Sequence, residues 1–317
     1  MLDFIVYGVL LFLVVQVFRL WRADGDLSLL WYEKFGESPA QLAGQVVWIT
    51  GASSGIGEAL AAELSRVGAK LVLSARRKEE LERVKQRCVE TGKVADKDVL
   101  VVPLDSVAYD THAGCVEQVL AHFGKVDVLV NNSGRSQRSL FSETSLEGNR
   151  FLLELNVLGQ VSLTNAVLPH MMERGEGQIV VTGSTSGIFV SPGTSAYCGS
   201  KFALRGFYGT LRAELHSYNI DVLLVCPGPV ESNVVENAMV GQPDKSYNQD
   251  GKLDPAHAND VSAPRCARLF MVGMANRLEE IWISRNPYLI NAYLFTYVPF
   301  IGNWIMKTMA ASQKKKQ

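Results

Sequence analysis

The amino-acid sequence predicts a doubly wound α/β fold: a parallel sheet of seven strands with helices on both faces, preceded by an N-terminal membrane anchor. Short β-branched and aliphatic runs alternate with helical stretches from residue 46 onward, which is the pattern of strand-helix-strand units. Most of these runs are apolar along much of their length, as strands buried on both faces are. The apolar excess of the chain lies mainly at its two ends, where membrane contact is expected.

The composition excludes several classes of function. Lys and Arg (31) nearly balance Asp and Glu (32), whereas a protein that binds nucleic acid through phosphate contacts carries a basic excess. Nucleic acid is therefore not an expected partner. A hydrophobic fraction of 47% excludes a disordered chain. The five cysteines are scattered without a CxxC pair, so the sequence predicts neither a disulfide framework nor a metal site.

The first element is an apolar segment over residues 4–20, FIVYGVLLFLVVQVFRL. As a helix it would span roughly 26 Å, at the short end of what a bilayer requires. A cleaved signal peptide would begin with basic residues, whereas Asp3 precedes this segment and the basic residues follow it. A buried core helix would carry a polar stripe, which this segment lacks. The sequence therefore favours an uncleaved membrane anchor over residues 1–22.

A connector over residues 23–44 joins the anchor to the domain. Arg19 and Arg22 flank the anchor on its downstream side and favour a domain on the cytosolic side of the membrane. Asp24 follows at once, so the lumenal side stays open as the alternative.

The predicted domain covers residues 45–285. Its seven candidate strands are VVWIT (46–50), KLVLSA (70–75), VLVVPLD (99–105), VDVLVNN (126–132), QIVVTGS (178–184), DVLLVCP (221–227) and EEIWIS (279–284). The stretches between them, such as EALAAELSRVGA and KEELERVKQRCVE, have helical patterns. Parallel strands joined in this way need right-handed crossovers, which place helices on both faces of the sheet.

A polar insert follows the sixth strand. Residues 231–240 have the pattern of a short helix, and residues 242–260 are the most polar and turn-rich part of the domain. Because ligands bind at the carboxyl ends of the strands in such folds, the insert is placed to act as a lid. A surface loop without function is the equally supported alternative.

The C-terminal tail over residues 286–317 is rich in aromatic residues. Pro299 and Asn303 interrupt it and argue against a second spanning helix. Contact with the membrane interface and packing against the domain or a second subunit both stay open. The final residues 314–317, KKKQ, resemble the dilysine retrieval signal of endoplasmic-reticulum membrane proteins.

The first strand leads directly into a glycine-rich turn, TGASSGIG over residues 50–57, and a predicted helix follows. Glycines in this context allow a tight turn and let backbone N–H groups approach a pyrophosphate at the helix N-terminus. Many strand-helix turns need glycine for geometry alone. The position between a strand and a helix favours a dinucleotide site over that alternative.

The end of the second strand selects between the two nicotinamide cofactors in such folds. An acidic residue there would bond the ribose 2′-hydroxyl of NAD, whereas an arginine accommodates the 2′-phosphate of NADP. This sequence has Arg76 and Arg77 and no carboxylate there, so it predicts NADP(H). Asp105, Asn131 and Gly134, at the ends of the next two strands, lie at the expected level of the adenine and ribose.

A tyrosine and a lysine four residues apart form the most specific pattern of the chain. Tyr197 and Lys201 would share one helix face, and Ser184 lies thirteen residues before the tyrosine. A tyrosine is a poor acid or base near neutrality because its ordinary pKa is about 10. A neighbouring ammonium favours the phenolate, so we expect Lys201 to lower the pKa of Tyr197.

These motifs together resemble the short-chain dehydrogenase/reductase family over residues 45–285. TGASSGIG, NNSG, NVLG around Asn156, Ser184, YCGSK and PGPVES occur in the order and spacing of that family. The resemblance implies a Rossmann-type sheet, NADP(H) as the cofactor and a homodimer. One departure is Ser133 in NNSG, where the family usually has alanine.

The resemblance also implies roles for individual residues. Ser184 would bond the substrate carbonyl, Tyr197 would transfer the proton, and Lys201 would bind the nicotinamide ribose. Asn156 would hold a water that links Lys201 to solvent. The residues implied for cofactor binding are Gly51, Ser53, Ser54, Gly55, Ile56, Gly57, Arg76, Arg77, Asp105, Asn131, Gly134, Tyr197, Lys201, Pro227, Gly228, Val230 and Ser232.

The expected function is NADPH-dependent reduction of carbonyl groups on lipophilic substrates such as retinal, oxo-steroids and xenobiotic ketones or quinones, at the endoplasmic-reticulum membrane. The same residues would also catalyse oxidation of the corresponding alcohols. Two alternatives of another class are a non-catalytic nucleotide-binding membrane scaffold and a lipid or steroid carrier. Intact catalytic residues argue against both.

Overall fold

Seven parallel strands form the central sheet of the computed structural model, which describes residues 6–7, 12, 14–16, 18, 20–232, 234–247 and 260–314. In chain order the strands are β1 (Val46–Thr50), β2 (Lys70–Ser74), β3 (Val99–Val101), β4 (Val128–Asn131), β5 (Gly177–Thr182), β6 (Ile220–Pro227), β7 (Met239–Val240), β8 (Gln242–Ser246) and β9 (Glu280–Ile283). All but β7 and β8 belong to one sheet in the order β3-β2-β1-β4-β5-β6-β9. Every neighbouring pair in it is parallel, which confirms the predicted fold class.

Helices cover both faces of this sheet. In chain order they are α1 (Leu27–Phe35), α2 (Gly55–Val67), α3 (Lys78–Thr91), α4 (His112–Phe123), α5 (Leu146–Leu153), α6 (Gly159–Arg174), α7 (Ser195–Glu214), α8 (Ala263–Ala275), α9 (Tyr288–Tyr297) and α10 (Pro299–Lys314). Most buried apolar residues of α2, α3 and α8 belong to one core cluster, and most of those of α4, α6 and α7 belong to another. The sheet is therefore doubly wound.

The residues of β1 show how the sequence dictates this arrangement. Val47 and Ile49 belong to the first core cluster, whereas Val46 and Trp48 belong to the second. Successive side chains of a strand point to opposite faces, so a strand covered on both sides must be apolar throughout. All four side chains are buried.

The connector is packed against the last strand of the sheet. The Asp26 backbone N–H donates to the Trp282 carbonyl oxygen at 2.9 Å, and the Trp282 N–H donates to the Asp26 carboxylate at 2.7 Å. The Arg265 guanidinium on α8 bonds to the carboxylates of Asp24 and Glu33. These contacts cover the edge strand β9, which would otherwise expose unpaired backbone groups.

The predicted helix over residues 231–240 is wrong. The described residues before position 239 form bends and turns, and Met239–Val240 forms β7 instead. The Met239 N–H donates to the Ser136 carbonyl oxygen and the Met239 carbonyl accepts from the Arg138 N–H, both at 2.8 Å. This pairing with a distant segment outweighs the local helical pattern. Of the polar insert, β8 is described, and residues 248–259 lie outside the described part of the chain.

The C-terminal tail forms two helices, α9 and α10, which meet at Pro299. They cross closely, because a Cβ added to Gly302 would lie 2.5 Å from the Phe295 ring. Among the described residues, one helical stretch is long and apolar enough to cross a membrane, Leu146–Arg174. That stretch, α5 to α6, contributes buried residues to the core. The predicted anchor falls largely outside the described residues, as do the last three residues of KKKQ.

Candidate active site

The predicted site residues gather where the strand order reverses. From β1 the chain proceeds outward to β2 and β3, and then returns to add β4 on the other side of β1. Such a reversal opens a crevice beyond the carboxyl ends of the strands, where ligands bind in open α/β sheets. The glycine-rich turn follows β1, Gly134 follows β4, Ser184 follows β5, and Pro227 ends β6.

Three of the four predicted catalytic residues meet at the start of α7. The Ser184 side chain lies close enough to the Tyr197 phenol to lower the pKa of that phenol. The Ser184 hydroxyl donates to the Pro227 carbonyl oxygen at 3.3 Å. Lys201 lies one turn after Tyr197, with its Nζ 5.7 Å from the centroid of the tyrosine ring. This Nζ donates to the Thr182 carbonyl oxygen at 2.8 Å.

The fourth residue, Asn156, lies in a π-helical turn, Glu154–Leu158, between α5 and α6. Such turns are rare and frequently occur at functional sites. The fully buried Asn156 amide accepts from the Arg135 N–H at 2.8 Å and donates to the Arg135 carbonyl oxygen at 3.0 Å. A Cβ added to Gly134 would lie 3.1 Å from the Asn156 Oδ1 and 3.8 Å from the Lys201 Nζ. Asn156 and Lys201 therefore flank the same point of the chain.

Burial determines the ionisation of the two central groups. It raises the pKa of Tyr197, although the nearby Ser184 side chain and the charge of Arg138 act in the opposite direction. The net pKa of Tyr197 is therefore raised and not lowered as expected from Lys201, because burial is the largest influence on it. The Lys201 ammonium is bonded to the Thr182 carbonyl. Burial also lowers the pKa of Lys201 to about 8.

The glycine-rich turn fits a dinucleotide. Gly51 and Gly55 have φ angles of 64° and 58°, in the left-handed region that favours glycine. A Cβ added to Gly57 would lie 2.3 Å from the Gly51 carbonyl oxygen, so only glycine lets α2 pack against the turn. The N-cap residue Ser54 makes no side-chain capping hydrogen bond, which leaves first-turn N–H groups of α2 for a phosphate. Ile56 lies partly buried in that first turn.

Of the two arginines from which the sequence predicts NADP(H), Arg77 lies beside this turn. Arg76 and Arg77 are exposed directly after β2. The Arg77 Nη2 lies 3.5 Å from the Oγ of the buried Ser53. Two cations directly after β2 suit a 2′-phosphate, and the strand end supplies no carboxylate to compete with it.

Asn131 ends β4 as expected, whereas Asp105 lies four residues beyond the end of β3, which is shorter than the predicted strand over residues 99–105. The side chains of both residues are engaged within the protein. The Asp105 carboxylate accepts from the Val107 N–H at 3.2 Å. The Asn131 Nδ2 donates to the Thr164 Oγ1 at 2.8 Å and to the Tyr208 hydroxyl at 3.2 Å, so this amide is directed into the core. Only the backbone of Asn131 is therefore available to contact a cofactor.

The segment after β6 closes the crevice from the other side. A Cβ added to Gly55 would lie 3.1 Å from the Ser232 Cβ, which places Ser232 beside the glycine-rich turn. Pro227 accepts the hydrogen bond from the serine of the catalytic group. Val230 pairs with Val261, and Gly228 packs against the β9 end. Ser232 and Pro227 thus lie beside other predicted site residues, whereas Gly228 contacts Ser284 and Val230 belongs to the first core cluster.

Three residues at this site were not predicted from the sequence. Thr182 binds the Lys201 ammonium through its backbone carbonyl. Any residue type supplies this group, so the sequence gives no indication of it. The Arg135 guanidinium binds the carbonyl oxygens of Pro243 and Lys245, at 2.7 Å and 3.1 Å, and so holds β8 near the site. Arg138 lies close enough to affect Tyr197 electrostatically. The run RSQR directly after NNSG is a signal for the two arginines, since it follows a strand end.

Comparison with known proteins agrees with this geometry. The family model described as short chain dehydrogenase matches residues 45–242. Dehydrogenase/reductase SDR family member 7 of Homo sapiens is 51% identical over 311 residues, which cover 98% of this chain and 91% of that protein. The segments RADGDLSLLW, SARRKEELERVK, NNSGRSQRSL and PGPVESNVVEN resemble that protein more narrowly than the family, and the comparison confirms this interpretation.

Solved structures share the fold. An alcohol dehydrogenase from the archaeon Thermococcus sibiricus, complexed with 5-hydroxy-NADP, has a TM-score of 0.64 and 26% identity, covering 76% of this chain and 97% of that one. A short-chain dehydrogenase/reductase from Burkholderia phymatum, in complex with NAD, has a TM-score of 0.68 and 25% identity, covering 80% and 93%. Similar structures thus hold either type of nicotinamide cofactor.

Proposed function

The chain belongs to the short-chain dehydrogenase/reductase family, and on that premise we propose that it reduces carbonyl groups of lipophilic small molecules with NADPH. Membership of the family makes it an NAD(P)-dependent oxidoreductase of small-molecule substrates. The observation that carries the proposal is the meeting of Ser184, Tyr197 and Lys201 beside the glycine-rich turn. A scaffold or a carrier would not need this arrangement.

Each residue has a defined task in the reaction. The bound nicotinamide supplies the hydride, and the protein supplies orientation and proton transfer. The Ser184 hydroxyl, which donates to the Pro227 carbonyl in this structure, would turn to bond the substrate carbonyl oxygen as negative charge develops there. Tyr197 gives its proton to that oxygen, and its raised pKa keeps the phenol in the protonated form that reduction needs. Lys201, with Asn156 beside it, holds the ribose and passes a proton to the phenolate.

The preference for NADP(H) rests on charge. Arg76 and Arg77 lie exposed at the end of β2, and Arg77 reaches the turn at Ser53. A 2′-phosphate would meet two cations there, whereas NAD would find no carboxylate for its 2′-hydroxyl. We expect NADPH to bind at least about tenfold more tightly than NADH, which corresponds to about 1.4 kcal/mol.

Retinal, oxo-steroids and xenobiotic ketones or quinones are the proposed substrates. The alternative direction, oxidation of the corresponding alcohols, uses the same groups with Tyr197 as the base. The same residues serve both directions, because the forward and reverse reactions pass through the same transition state. Phe189, five residues after Ser184, contacts Phe295 on α9 with ring centroids 5.6 Å apart, and this apolar contact near Ser184 suits a lipophilic substrate.

We also propose that residues 1–22 anchor the enzyme in the endoplasmic-reticulum membrane and that α9 and α10 lie at the lipid interface. The Asn286 Nδ2 donates to the carbonyl oxygens of Leu20 and Trp21, at 3.1 Å and 2.8 Å. The end of the anchor is therefore fixed to the start of α9. Exposed Phe300 and Trp304 on α10 are suited to a membrane interface.

A homodimer through α6 and α7 is a further part of the proposal. An open cavity of about 570 Å³ lies along these helices, and Val161, Ala203 and Leu211 line it. Phe207 is 50% exposed at the same place. Burial of this apolar surface against a second copy would remove it from water.

Turnover by detergent-solubilised full chain tests the proposed function. Wild type and Tyr197→Phe are compared with all-trans-retinal and a panel of 3-, 11- and 17-oxo-steroids, with NADPH and NADH in parallel. We expect turnover with NADPH, weak turnover with NADH, and loss in the variant. Equal use of NADH would contradict the role of the two arginines. Cofactor binding without turnover of any carbonyl or alcohol would favour the scaffold.

A further inference from the structure

The start of the catalytic helix α7 is capped by a residue from a distant segment. The Gln137 Oε1 accepts from the Ala196 N–H at 2.7 Å and from the Tyr197 N–H at 3.1 Å. First-turn N–H groups have no partner within a helix and need an outside acceptor when they are buried. The N-cap residue Thr194 makes no side-chain capping hydrogen bond, and its hydroxyl donates to the Ser191 carbonyl oxygen at 2.8 Å. Gln137 therefore fills the place of an N-cap.

The other end of the same amide is fixed by hydroxyl groups. The Gln137 Nε2 donates to the Thr144 Oγ1 at 2.7 Å and to the Ser139 Oγ at 3.2 Å. The Ser139 Oγ also accepts from the Gly241 N–H at 3.1 Å, which joins this network to the hairpin of β7 and β8. The Gln137 backbone pairs with Met239 of that hairpin. The side chain is fully buried, and its four hydrogen-bonding partners hold it in one orientation.

We propose that Gln137 is a positioning residue, which fixes the backbone of Tyr197 at the level where its phenol meets Ser184. This inference rests on the proposed oxidoreductase function. An acid must reach the substrate oxygen within hydrogen-bond distance, and a misplacement of about 1 Å can lower the rate by about 10²-fold. Gln137 touches neither substrate nor cofactor in this role. It acts through the two N–H groups that it accepts from.

Kinetics of three variants test the proposal. Gln137→Leu removes the acceptor, and Gln137→Glu keeps an acceptor oxygen in the same place. Gln178→Leu is the control, because Gln178 is also buried and donates to the Met274 carbonyl oxygen at the opposite end of the sheet. We expect Gln137→Leu to lower kcat by about 10- to 100-fold with little change in the Kd of NADPH. Gln137→Glu should recover part of the kcat that Gln137→Leu loses, because it keeps the acceptor for α7 but loses the donor bonds to Thr144 and Ser139. The control should stay within about threefold of wild type. A folded Gln137→Leu variant with wild-type kcat would overturn the proposal.

Hydrogen exchange gives a reading that does not depend on turnover. The peptide that contains Ala196 and Tyr197 should exchange at least about tenfold faster in Gln137→Leu and at the wild-type rate in Gln137→Glu. Unchanged exchange in Gln137→Leu would overturn the capping role of Gln137. This result does not depend on whether the wild type reduces a carbonyl, so the capping role and the proposed oxidoreductase function can fail independently. If Gln137→Leu does not fold, Thr144→Val replaces it. We expect Thr144→Val to lower kcat by about threefold or more, because the Gln137 amide loses its partner at 2.7 Å. Unchanged kcat in the Thr144→Val variant would count against the proposal.

Discussion

Replacement of Lys201 by methionine should change the pH dependence of stability in a calculable way. Lys201 is 5% exposed, and burial lowers its pKa from an ordinary 10.5 to about 8. A buried ammonium destabilises the native state relative to the neutral amine. The protein therefore bears a cost for holding this cation where catalysis needs it, and Lys201→Met removes that cost together with turnover.

The sign and size follow from proton linkage. Between pH 8 and 10.5 the unfolded chain binds more protons at Lys201 than the native chain does, so the free energy of unfolding rises with pH. Between about pH 6.5 and about pH 9.5 this group alone contributes an increase of about 2 kcal/mol. The methionine variant lacks this increase. Loss of the hydrogen bond to the Thr182 carbonyl costs about 1–3 kcal/mol in the variant, and that cost is the same at each pH.

Urea unfolding of the detergent-solubilised full chain, followed by tryptophan fluorescence, measures the effect. We expect the difference in free energy of unfolding, variant minus wild type, to decrease by about 2 kcal/mol from about pH 6.5 to about pH 9.5. Lys78→Met, at an exposed lysine at the start of α3, is the control. A difference for Lys201→Met that is constant or grows with pH would refute the reasoning that Lys201 is a desolvated cation.

Three other changes test separate parts of the structure. Gly57→Ala should weaken NADPH binding about tenfold or more in a fluorescence titration, because its Cβ would lie 2.3 Å from the Gly51 carbonyl oxygen; unchanged affinity would show that the turn does not hold the cofactor. Arg265→Met should lower the free energy of unfolding by about 1–3 kcal/mol and expose the connector to protease, because two carboxylates of the connector lose their partner. A connector that resists protease as in the wild type would contradict this. Phe207→Glu should shift the protein toward the monomer in analytical ultracentrifugation, and an unchanged dimer would place the interface elsewhere.

The sheet could be predicted from sequence because its strands are buried on both faces. Val46 to Thr50 is apolar on both sides of the strand, and in a folded chain a short run of this kind is typical of a central strand in a parallel sheet. The glycine-rich turn and the pair Tyr197 and Lys201 could be predicted for a similar reason. Their spacing is local, so the chain itself fixes which groups lie together.

Features that depend on tertiary contacts could not be predicted. The helix expected over residues 231–240 was displaced by backbone pairing of Met239 with the segment after β4. The pKa of Tyr197 depends on burial, which outweighs the expected influence of Lys201. Gln137 gives no signal in sequence, because its partners on α7 are backbone groups about 60 residues away.

Transfer of hydride to a carbonyl carbon is the central claim, and isotope labelling tests it most directly. NADPH deuterated at C4 of the nicotinamide, prepared separately on each face, is incubated with a carbonyl substrate that wild type turns over, and the product is analysed by mass spectrometry. We expect wild type to place one deuterium on the carbinol carbon from one face of the cofactor, and Tyr197→Phe to place almost none while still binding NADPH. An alcohol without deuterium from either face, or equal labelling by Tyr197→Phe, would contradict the mechanism.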